Sequence, residues 1–76
     1  MKDGIRLGLS KDEALVFFEW LARTNEDINP LIFSDESEQQ VLFNLESQLE
    51  QKLVEPLDQN YKQLVLEARK RLVGED

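Results

Sequence analysis

The densest apolar stretch of the chain lies near its start and repeats with a helical period. From Lys11 to Arg23, the residues Ala14, Leu15, Phe17, Phe18, Leu21 and Ala22 fall on one broad face at about 100° per residue. Asp12, Glu19 and Arg23 lie opposite. Ser10 and Glu13 have the Ser-x-x-Glu spacing of a capping box, in which each side chain bonds the other residue's free backbone N–H. Leu9 before the cap and Ala14 at the fourth helical position suit a hydrophobic staple. The pattern predicts a first helix over residues 11–24, the central helix against which the rest folds.

Two residues of this helix break the division. Val16 and Trp20 sit one turn apart on the charged side. Either the N-terminal arm or the following loop folds over them, or they form an exposed contact, Trp being enriched at binding hot spots.

Ahead of the helix, Ile5, Leu7 and Leu9 alternate with Arg6 and Gly8 at the strand period. With no sure partner strand, a short extended arm packed on the helices fits the same letters. After the helix, Asn25, Asp27 and Asn29 are turn formers, and Pro30 forbids a continuing helix. Leu31, Ile32 and Phe33 are too apolar for an idle loop, so they are expected to tuck onto the core or to pair with residues 5–9.

A second helix is expected over residues 35–54. Asp35 caps its start, with Glu38 at the capping-box position. Val41, Leu42, Leu45, Leu49 and Leu53 form its apolar stripe, and Phe43 and Val54 point the other way. Pro56 ends it. A third helix is expected over residues 59–73, capped by Asp58 or Asn60. Its inward stripe is Tyr61, Leu64, Val65, Ala68 and Leu72, with Leu66 and Val73 on another side. Arg69, Lys70 and Arg71 complement the helix C-terminus, and Gly74 is a natural residue to follow it. Short connections between three helices predict an all-α fold, a small antiparallel three-helix bundle with an extended N-terminal arm, as one domain of 76 residues.

Charge changes the picture of partners. The net charge is -7, unevenly placed. Residues 1–11 carry three basic side chains and one acidic, whereas residues 12–58 carry twelve acidic against Arg23 and Lys52. An acidic body repels phosphates, which argues against nucleic acid or an anionic membrane and leaves a protein partner. No apolar run reaches the roughly 20 residues of a membrane span, and the N-terminus lacks a signal-peptide core. A chain with no Cys needs no oxidising compartment. A cytoplasmic location is therefore expected.

The chain has no His and no Cys, which removes most nucleophile–base pairs and the usual transition-metal ligands. The glycines are scattered, with no phosphate loop. An enzyme is not expected, and no cofactor is implied. One spacing resembles a metal site. Asn25, Asp27, Asn29 and Glu36 fall at positions 1, 3, 5 and 12 of a calcium loop. Pro30 stands where the sharp turn needs Gly, so turn formers before a helix explain the letters better. Glu38 lies in line with the leucines of the second helix; it either reaches a backbone N–H at the helix start or, if buried, needs Arg23 or Arg69.

The string Leu9-Ser10-x-Asp12-Glu13-Ala14-Leu15-Val16-x-Phe18-Glu19-x-Leu21-x-Arg23 resembles the start of a group of short bacterial helical proteins of unassigned function. So do Glu38-Gln39-x-Val41-Leu42, Leu45-Glu46, Leu49-Glu50, Glu55-Pro56 with Tyr61, and Ala68-Arg69-x-Arg71-Leu72. The resemblance implies a small helical bacterial protein and transfers no functional residue.

Two functions remain. The leading one is a protein–protein interaction module using the off-stripe residues Val16, Trp20, Phe43, Leu66 and Val73, most simply as a homodimer. The alternative is an immunity-protein-like or antitoxin-like inhibitor that presents Glu19, Glu46 and Glu50 to a basic partner.

Overall fold

A computed structural model of the chain describes residues 4–26 and 33–74. It is all-α: α1 spans Lys11–Glu26, α2 Glu36–Lys52 and α3 Tyr61–Leu72, with a short 3-10 turn at Glu55–Leu57. No strand forms among the described residues, so Ile5, Leu7 and Leu9 belong to an arm outside any helix or sheet. The expected tucking or pairing of Leu31 and Ile32 lies outside the described residues; Phe33 is half-buried.

The helix starts follow from local chemistry. The Glu13 N–H donates to Ser10 Oγ at 3.0 Å, and the Ser10 N–H donates to Glu13 Oε1 at 2.8 Å, closing the capping box. Replacing Ser10 with alanine removes the acceptor of the Glu13 N–H, and about 1 kcal/mol of stability should be lost, read as a lower urea midpoint. At α2, extended Asp35 (φ -157°) accepts from the Ser37 N–H at 2.7 Å. Glu38 accepts from the Ser34 N–H at 2.8 Å and is exposed. Its place in the leucine line is thus explained by the helix start, and no buried basic partner is needed.

The helix ends are equally local. α2 stops at Lys52, and Pro56 sits in the 3-10 turn beyond it. Asp58 accepts from the Asn60 N–H at 2.7 Å and so fixes the turn into α3, while Asn60 occupies the N-cap without a side-chain bond. Gly74 follows α3 at φ +79°, the left-handed geometry that favours glycine, and its N–H bonds the Arg71 carbonyl at 3.2 Å.

α1 is the organising helix. It packs against both α2 and α3, which share no comparable contact with each other. Ala14, Leu15, Phe18, Leu21, Leu53, Val65 and Ala68 are buried, four of them from α1. Two ion pairs hold the first turn of α1. Arg71 in the last turn of α3 grips Asp12 through two bonds of 2.9 Å, and Lys11 reaches Glu55 at 2.9 Å. The bonds from Arg71 hold the Asp12 carboxyl below its usual range, and Lys11 does the same for Glu55. The Arg69–Arg71 cluster is therefore more than a complement to the helix end.

Several expectations are corrected. α1 runs two residues beyond the expected 24, because Asn25 is buried and donates to Glu46 Oε1 at 2.7 Å. That long-range, charge-assisted bond outweighs the local turn preference. α2 and α3 are each shorter than expected, by one or two residues at their ends. Val41 and Leu72 belong to inward stripes yet are 54% and 43% exposed. Val16, assigned to the contact surface, is half-buried and packs against the core cluster of Ala14, Leu15, Phe18, Leu53 and Ala68.

Candidate interaction surface

A concavity lies between the arm, α1 and the second half of α2. Residues of the arm (Ile5, Leu7, Leu9), of α1 (Ala14, Phe17) and of α2 (Leu45, Leu49) line it, with Leu53 at its end, and its volume is about 440 Å³. It exists because α2 is only half covered. Along its stripe, exposure is 54% at Val41, intermediate at Leu42, Leu45 and Leu49, and 7% at Leu53. No residue within α2 itself is fully buried. Ile5 and Leu7 border the cleft while remaining 87% and 83% exposed, so the arm edges it without filling it.

Trp20 adjoins this cleft through Phe17. The two rings stack with centroids 6.2 Å apart and planes 13° from parallel, and Phe17 is itself a cleft residue. The arm does not cover Trp20, which is exposed. The loop offered as an alternative cover lies partly outside the described residues.

The other expected contact residues are dispersed. Leu66 lies in a second depression of about 400 Å³ with Glu19, Tyr61, Lys62, Val65 and Arg69. Phe43 and Val73 are exposed but line neither depression. The residues that sequence reasoning missed are those of the cleft. Its signal was present in the alternation of Ile5, Leu7 and Leu9, but the facing wall of Leu45 and Leu49 was read as core.

In the second depression the Tyr61 hydroxyl is buried without a hydrogen-bond partner of good geometry. Burial, and then the Glu19 carboxylate beside it, push its pKa up to about 12. The folded value lies above the unfolded value of 10.0, so this contribution is complete below pH 10 and disappears as pH rises through about 12. Tyr61→Phe should be neutral or slightly stabilising at neutral pH, since it removes an unpaired buried group. It should also abolish this alkaline loss. Urea midpoints at neutral and alkaline pH check both points.

Two of the three carboxylates offered to a basic partner are engaged internally: Glu46 accepts from Asn25, and Glu19 pairs with Arg23 at 3.7 Å. The first residue of the calcium pattern, Asn25, is buried in α1 and bonded to Glu46. Asp27, Asn29 and Pro30 of that pattern lie outside the described residues. Among the described residues no group of three acidic, His or Cys side chains is placed to hold a metal ion, and no helix is long and apolar enough to cross a membrane. No protein-family model, no curated protein and no solved structure matches the chain.

Proposed function

We propose that the chain is a non-catalytic protein–protein interaction module that associates with itself. The observation that carries this reading is the surface left open. α2 carries no fully buried side chain, and Val41, Leu42, Leu45 and Leu49 of its apolar stripe are exposed or half-buried.

Much of the open surface is apolar. Ile5, Leu7, Trp20, Val41, Phe43 and Leu66 are each more than 40% exposed. In a chain this short the core is small, so burial against a second copy adds stability that the monomer lacks. The basic-partner reading has weaker support, because Glu19 and Glu46 already have partners within the chain.

Light scattering after gel filtration tests the proposal. The expected mass at high micromolar concentration is twice that of one 8.9 kDa chain. A single-chain mass at every concentration refutes self-association.

A further inference from the structure

We infer that the cleft between α1 and α2 binds a single-chain aliphatic carboxylate. Its head group meets Lys11 and Lys52, and its tail lies along the leucines of α2. This goes beyond the self-association reading and does not depend on it. Where the chain pairs through this cleft, the ligand and a second copy compete for it.

The first observation is charge. Among the described residues, Lys11 and Lys52 are the charged side chains that line the cleft, and no carboxylate does. The surroundings are the reverse, since residues 12–58 carry twelve acidic side chains against Arg23 and Lys52. The two lysines also share one end of the cleft. Lys11 opens α1 and Lys52 closes α2. Lys11 reaches Glu55, just beyond the end of α2, at 2.9 Å. That bond uses one of the three N–H donors of its ammonium group. Lys52 makes no ion pair among the described residues. An incoming carboxylate therefore meets two cations with donors to spare.

The second observation is the apolar body behind that head-group end. From Lys52 the lining runs along α2 through Leu49 to Leu45, and from Lys11 along α1 through Ala14 to Phe17. The helix rises about 10 Å from Leu45 to Lys52, which suits an acyl chain of medium length. The volume of about 440 Å³ lies within the roughly 300–1,000 Å³ of small-ligand clefts. Ile5 and Leu7 border the cleft while more than 80% exposed, so a tail gives them apolar surface to bury against.

The two parts select the ligand together. A bare phosphate or acetate would leave the apolar wall wet, and a hydrocarbon would leave the ammonium groups unmatched. The acidic body repels an anionic membrane, so the source is a free carboxylate and not a lipid surface.

The test titrates sodium decanoate, below its micelle concentration, into the isotope-labelled full chain and follows the backbone amides by NMR. Saturable shifts should be confined to residues 5–17 and 45–53. Decyltrimethylammonium, with the same tail and a positive head, should bind this cleft several-fold more weakly. The net charge of -7 alone would favour that cation, so a preference for decanoate reports Lys11 and Lys52. Lys52→Gln changes an exposed side chain. It should leave helicity unchanged and weaken decanoate about threefold to fivefold, the scale of an exposed ion pair, without weakening the cation. The inference is overturned if millimolar decanoate gives no saturable shifts, or shifts outside the cleft. It is also overturned if the cation binds as tightly, or if Lys52→Gln binds decanoate like wild type. A single-chain protein that binds decanoate refutes self-association and leaves this inference standing. A dimer that neither shifts nor dissociates in millimolar decanoate overturns this inference alone.

Discussion

Replacing Leu21 with alanine should cost about 3 kcal/mol of folding stability. Leu21 is the largest side chain that is fully buried, at 0% exposure. It lies midway along the helix that both α2 and α3 pack against. Truncation removes its transfer free energy and leaves a cavity that its neighbours refill only in part. A domain of 76 residues has roughly 4 to 11 kcal/mol in total, so most of a marginal fold would be lost. Urea denaturation followed by circular dichroism measures the effect. A loss below about 1 kcal/mol would mean that Leu21 is not at the centre of the packing.

Trp20→Ala should do the opposite: little to the fold and much to association. The indole is 44% exposed, and its one recorded aromatic contact is the stack on Phe17. An aromatic pair contributes about 1 kcal/mol beyond burial, so a modest change in urea midpoint is expected. If Trp20 is an anchor of the self-contact, its loss should cost about 2 kcal/mol or more of association energy, roughly thirtyfold in dissociation constant. Sedimentation equilibrium of wild type and variant measures this. Collapse of helicity in the variant would place Trp20 with the core instead.

These two residues, one position apart, show what could be read from the sequence. The face of α1 that carries Leu15, Phe18 and Leu21 was legible, because a period of 3.6 residues fixes which positions share a side. The capping box at Ser10 and Glu13, the stop before Pro56 and the left-handed Gly74 were legible because each depends on residues within four positions. Val16 and Trp20 share a stripe but differ in burial, since that depends on where a neighbouring helix crosses, which no local pattern encodes. Asn25 reads as a turn former until Glu46, 21 residues away, is placed against it. Arg71 reads as a complement to its own helix end, although its partner Asp12 lies 59 residues away. Val41 and Leu72 show that positions on an apolar stripe can still be exposed.

The cleft was hidden for a related reason. Leu45 and Leu49 have the spacing of core residues, and the sequence holds no sign that α2 would remain half covered. It follows from α2 and α3 each packing chiefly on α1 among the described residues. Only the end of the α2 stripe, at Leu53, joins the core cluster, and a second copy can cover the rest.

The central claim is that one side of α1 builds the monomer while Trp20 and the adjoining cleft face a second copy. Trp20 is the only tryptophan, so its fluorescence reports this surface alone. On dilution from high micromolar to nanomolar concentration, with helicity by circular dichroism constant, its emission maximum should move to longer wavelength as the indole returns to water. An emission maximum that stays the same at every concentration would contradict the account.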